Sequence, residues 1–133
     1  MEPIKVVVHY GDGKVIKGFT GDFFPNKDLF HLFPATDPTG EAIEVRLKDL
    51  KGVFFVRDFT GDPQYNEQKT FHEWKKGHGR KLEVICIDDE LFVGSTLGYD
   101  PSRKGFFVLP ADPNSNNIRV FVISAAVKKF RYL

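Results

Sequence analysis

The chain has 133 residues, 19 Lys and Arg against 18 Asp and Glu, and a formal net charge of +1. That length suits one ordinary domain or two very small ones. The near-neutral balance speaks against the broad basic footprint of a general nucleic-acid binder, so DNA is not expected as a partner and RNA is not favoured.

A single cysteine, Cys86, excludes an intramolecular disulfide framework. Hydrophobic content of 41% against 28% charge predicts a packed core. Fourteen Phe beside one Trp and one Met lean toward β structure, where Phe fits a pleated, half-buried surface. No apolar run approaches the roughly 18 residues of a membrane helix. The start, MEPIKVVVHY, lacks a basic region followed by a long apolar stretch. No membrane association and a cytoplasmic location are therefore expected.

The first element is a hairpin, KVVVHYGDGKVIKG (5–18), in which a β-branched run meets Asp12-Gly13 and returns. It recurs: residues 5–35 lie over 81–111 without a gap. Lys5, Val8, Asp12, Gly18, Thr20, Pro25, Phe30, Pro34 and Ala35 match Lys81, Val84, Asp88, Gly94, Thr96, Pro101, Phe106, Pro110 and Ala111. Unrelated stretches of that length share about two identities. The match continues with IEVRL (43–47) over IRVFV (118–122) and LKGVFFV (50–56) over VKKFRYL (127–133). The pattern predicts an internal duplication: a first repeat over 1–56, a linker over 57–80 and a second repeat over 81–133.

Within each repeat the alternation predicts five short strands. Val6, Val8 and Tyr10, or Leu82, Val84 and Cys86, form the inward face of the first. The second, Val15 to Phe19, bends near Gly18. A loop around Pro25 leads to a third strand, Leu29–Phe33 or Phe106–Leu109. DPTGE (37–41) or DPNSNN (112–117) turns the chain into a fourth, Ala42–Leu47 or Ile118–Ile123. The fifth is Val53–Val56 or Lys129–Leu133. No long amphipathic helix is expected, and linker residues 63–76 have room for one short helix.

This order of strand, D-G turn, V-x-x-G, bent strand and aspartate-containing loop resembles the Sm-like fold, a five-stranded SH3-type small barrel. The fold class expected is mainly β, with two tandem Sm-like barrels. In RNA-binding Sm proteins a D-x-x-M-N pattern in the third loop contacts uridine bases. Here Asp22-Phe23-Phe24-Pro25-Asn26 keeps the Asp and Asn at that spacing, with Pro25 in place of Met. The second repeat offers Asp100-Pro101-Ser102-Arg103 without the Asn, and the R-G dipeptide of the second Sm motif is absent from both repeats. The whole chain is also similar to a family of uncharacterised bacterial proteins with the same tandem layout.

Motifs for catalysis are missing. The sequence holds no G-x-S-x-G, no G-x-G-x-x-G and no Walker-type loop. Cys86 falls on an inward strand phase, which predicts a buried structural thiol. His9 and His31 are expected on solvated outward faces, and His72 and His78 lack a tight metal spacing. Asp88-Asp89-Glu90 reads as a solvated hairpin tip. An enzyme, a metal and a cofactor are therefore not expected.

The outward faces of the repeats differ. The first carries His9, Lys17, His31, Arg46 and Lys48. The second carries Ile85, Ile87, Val93, Phe107, Phe121 and Ile123. Apolar residues on both faces of a strand imply cover, either from linker residues such as Phe71 and Trp74, from the first repeat, or from another subunit. Ile85, Phe107, Phe121, Phe71 and Trp74 are thus candidate interface residues. Asp22, Phe23, Phe24, Asn26, Tyr99 and Asp100 are candidate ligand-loop residues, with aromatic rings suited to stacking or to plugging a barrel end. The function expected is a non-catalytic binding or assembly module with a protein partner or a second copy. The alternatives are an RNA-binding Sm-like protein, or a small-ligand sensor or enzyme with a site in the inter-barrel cleft.

Overall fold

The computed structural model describes residues 4–37, 39–60, 79–100, 102–112 and 114–133. The short helix expected within 63–76, and Phe71, His72, Trp74 and His78, lie outside the described residues. The protein is mainly β. Its ten strands are β1 (Ile4–Tyr10), β2 (Val15–Thr20), β3 (Leu29–Pro34), β4 (Ile43–Arg46), β5 (Leu50–Val56), β6 (Arg80–Cys86), β7 (Leu91–Thr96), β8 (Gly105–Pro110), β9 (Asn117–Ile123) and β10 (Val127–Tyr132). Two single-turn 3-10 segments, Leu47–Asp49 and Ser124–Ala126, link β4 to β5 and β9 to β10. Among the described residues no helix is long and apolar enough to cross a membrane.

All ten strands join one antiparallel sheet in the order β10-β6-β7-β8-β9-β5-β1-β2-β3-β4. The sequence predicts two tandem five-stranded units joined by a linker. The two groups of five share this one sheet and are hydrogen-bonded to each other along β5 and β9, where Val53 pairs with Phe121 and Phe54 with Val120. The ladders inside the two groups correspond residue for residue. Gly18 pairs with Pro34 and Gly94 with Pro110. Tyr10 pairs with Leu50 and Cys86 with Val127, each next to a register shift at the same place.

The identities have local physical causes. Asp12 Oδ1 accepts the Lys14 amide at 2.9 Å, and Asp88 Oδ1 accepts the Glu90 amide at 3.2 Å, so each Asp closes its hairpin turn. The turns need a left-handed residue, Gly13 at φ 96° in one and Asp89 at φ 68° in the other. A Cβ at Gly18 would collide with the Phe33 carbonyl, and one at Gly94 with that of Leu109. Thr20 and Thr96 are buried, and their hydroxyls accept the Asp22 and Gly98 amides at 3.4 and 3.3 Å to start the following loop.

One correction concerns the fourth strand. Val45 pairs with Phe30 and Val122 with Phe106, so Val45 corresponds to Val122. The sequence overlay had placed Val45 over Val120. A two-residue slip keeps every side chain on its own face, so alternation cannot detect it.

Two cores lie on opposite faces of the sheet. The first gathers Val6, Val8, Phe30, Leu32, Val45, Val53 and Phe55 from its own group, and Phe121 and Ile123 from the other. The second gathers Leu82, Val84, Cys86, Phe106, Val108, Val120 and Val122, and borrows Val7, Phe54 and Val56. Successive residues of β5 and β9 alternate between the cores. Every residue of β5 is therefore buried.

Candidate functional site

The loop after β2 is held by its own residues. Asp22 accepts the His31 amide at 2.9 Å, and its Oδ2 lies 2.7 Å from His31 Nδ1. Burial works to raise the Asp22 carboxyl, but the His31 and Thr20 hydrogen bonds outweigh it and hold it below the usual carboxylate range. Phe23 turns inward, with its ring centroid 5.2 Å from Phe30 and 5.3 Å from both Phe55 and Phe121. Phe24 is half exposed beneath Lys27 Nζ, and Asn26 is exposed.

In the equivalent loop Tyr99 stacks on Phe130 at 3.9 Å and meets Phe106 edge-on at 4.7 Å. Asp100 accepts hydrogen bonds from the Ser102 hydroxyl and amide, which hold its carboxyl low. Of the six ligand-loop candidates, Tyr99 and Asp100 line a cleft. Asp22, Phe23, Phe24 and Asn26 line none of the described clefts. Of the interface candidates, Phe107 and Phe121 pack with the first core. Ile85 is half-buried on β6, lining a shallow depression with Glu83 and Lys129.

The largest described cleft, about 660 Å³, lies at the seam between the halves. Two equivalent junctions build it. The Leu47 amide donates to the Asp28 carbonyl at 2.9 Å, and the Ser124 amide donates to the Lys104 carbonyl at 2.9 Å. Each bond ties a 3-10 turn to the end of its own long loop. Four cations, Arg46, Lys48, Arg103 and Lys104, line the space with one carboxylate, Asp28. Asp28 is ion-paired with Lys104, and that hydrogen bond and charge hold its carboxyl low. Arg46 reaches Glu44 at 3.3 Å and Arg103 reaches Asp100 at 3.8 Å, both in exposed pairs worth little.

A second cleft of about 490 Å³ lies beside it and shares Arg103. It is lined by Pro25 from the first half and by Tyr99, Phe107, Leu109 and Arg119 from the second. As ligand candidates, only Tyr99 and Asp100 of the second cleft were legible in the sequence, and of the seam cleft none of the lining residues. For the seam the available signal is the Asp28-to-Lys104 exchange between otherwise matching loop ends.

Three expectations about chemistry resolve on geometry. Cys86 is fully buried, and burial pushes its thiol up to about 11, which leaves it protonated and unreactive. The Asp88-Asp89-Glu90 tip is exposed as expected and is also anchored, because Asp88 and Glu90 bind the buried Lys51 and Asp89 binds Lys128 at 2.7 Å. His9 is not a free surface group either, since its ring sits 4.3 Å from that of Phe54. Among the described residues no three His, Cys, Asp or Glu side chains converge as a metal site.

No curated protein and no solved structure matches the chain. A family described as one of unknown function, DUF6982, matches residues 2–133. Since the match takes in the seam, both clefts and both groups of five strands, the chain as a whole belongs to the DUF6982 family.

Proposed function

We propose that the chain is a non-catalytic binding module, made of two copies of an Sm-like five-stranded unit, whose ligand is a phosphate-bearing polyanion held in the seam cleft. The observation that carries this reading is the convergence of Arg46, Lys48, Arg103 and Lys104 on one cavity in a chain of net charge +1. Local charge of this kind attracts anions even where the whole surface is balanced. The matching ladder registers support the duplication. Single-stranded RNA is the polyanion to which the Sm-like resemblance points.

The test is fluorescence anisotropy with a labelled U-rich RNA oligomer at about 50 and about 200 mM salt. If four phosphates are neutralised, single-strand counterion release weakens binding about 50-fold across that range. The R46Q/K48Q variant, with two contacts left, should show a drop of about sevenfold. Salt-independent binding, or an unchanged salt slope in the variant, would remove the cleft as the site. Both substituted residues are exposed, so folding is not at risk.

A further inference from the structure

We infer that the second cleft is a binding site for a small organic anion, with Arg119 holding the acidic group and Tyr99, Phe107 and Leu109 walling an apolar body. Arg119 stands on β9 opposite Phe55 of β5. Its guanidinium lies 4.4 Å from the centre of the Phe55 ring and 4.5 Å from that of Phe107. The rings stabilise the cation by cation–π attraction but carry no oxygen or nitrogen acceptor for its five N–H donors. No described side chain forms a hydrogen bond or ion pair with it. Its pKa is lowered by burial alone, so no described carboxylate answers the charge. A partly desolvated cation with no described counter-charge is costly where it serves packing alone.

Here that cation lines an open cavity of about 490 Å³, within the usual size range for small-molecule sites. A planar guanidinium fork matches a carboxylate or a phosphate, and the surrounding rings and Leu109 suit an aromatic or aliphatic body. Arg103 adds a second guanidinium, and the one carboxylate on the lining, Asp100, is already held by Ser102. The first half has no counterpart, because the ladder places Ala42 where the second half has Arg119. The site goes beyond the seam cleft and does not depend on it.

The experiment is a titration of the full chain with phenyl phosphate, benzoate, benzyl alcohol and inorganic phosphate, followed by NMR including the Arg119 Nε–H signal. Phenyl phosphate or benzoate should shift that signal and bind about 10- to 100-fold more tightly than benzyl alcohol, the worth of a charge-assisted hydrogen bond. Whichever acid binds more tightly identifies the head group. R119Q should lose that advantage, and R46Q/K48Q should keep it, which separates this site from the seam cleft. The inference fails if both acids bind no better than benzyl alcohol, or if the Arg119 signal does not move at saturation. The second readout uses the unmodified protein and stands whether or not R119Q folds.

Discussion

Lys51 Nζ lies 2.7 Å from Asp88 Oδ2 and also binds Glu90, which joins β5 of the first group to the hairpin turn of the second. Lys51 is 8% exposed, whereas the two acid side chains are 55% and 42% exposed. The partners are therefore unequal. Removing the acids strands a buried ammonium, while removing the lysine lets two carboxylates return to water. D88N/E90Q should cost about 2–4 kcal/mol, and K51M, which keeps the apolar stem, under about 1 kcal/mol. Urea denaturation of the three proteins measures both; equal losses would contradict the asymmetry. The pairing holds the Asp88 carboxyl low, so its contribution is present above the ordinary carboxylate range and lost as pH falls through the lowered value.

His9 gives a second pH dependence of opposite origin. Burial against Phe54 lowers its pKa below 6.5, and the Lys51 charge lowers it further. The unfolded chain then takes up a proton before the folded one does. Stability should fall as pH drops through 6.5 toward the lowered folded value. H9F keeps the ring on Phe54 and removes the proton, so this part of the slope should vanish from thermal melts recorded from pH 7 to pH 5. A slope unchanged in H9F would assign the effect to other groups.

Much of each five-stranded group was legible because its causes are local. Asp12, Gly18 and Thr20 act within a hairpin, a close strand crossing and a loop start, and they recur as Asp88, Gly94 and Thr96. The apolar outer face of the second group was legible in part: Phe107, Phe121 and Ile123 join the first core, whereas Ile87 is 65% exposed, and pattern could not choose the first repeat among the three candidate covers. Phe107 and Phe121 pack with Phe23 and Phe55, partners distant in sequence that pattern does not pair. Arg119 escaped for the same reason, since its place against Phe55 and Phe107 depends on where those two rings come to rest. The basic seam likewise draws its cations from two places remote in sequence, the β4–β5 junction and the loop before β8, and neither half of the chain carries a strong net charge that would flag them.

The ladder also predicts the state of association. At the seam, Phe107 pairs across strands with Phe121; at the matching place near the β4 edge, His31 pairs with Glu44. The seam pair is the one that enters the first core. The edge pair sits where a further copy would have to be buried, and Arg46 adds another charge beside it. Charges at an open edge oppose continued strand pairing. The wild-type chain should run at the mass of one copy, 15.2 kDa, in light scattering. H31F/E44F, which restores the seam chemistry at the edge, should associate as concentration rises. A wild-type dimer, or a variant that stays monomeric, would show that the edge residues do not control assembly.

Phe23 and Phe24 separate a structural ring from a surface ring within one loop. Phe23 contacts Phe30 and Phe55 from its own group and Phe107 and Phe121 from the other, so it closes the first core at the seam. Edge-to-face packing of this kind adds to the area term, and truncation leaves a cavity among rings held by two different groups of strands. F23A should cost about 2–3 kcal/mol in urea denaturation, less than a fully buried Phe because Phe23 is partly buried. Phe24 is 49% exposed, so F24A should stay within about 0.5 kcal/mol. If the loop aromatics instead served mainly to stack a ligand, the order would reverse in part: F23A would fold with near wild-type stability and lose RNA binding. Measuring stability and RNA anisotropy on both variants decides between a plug and a stacking platform.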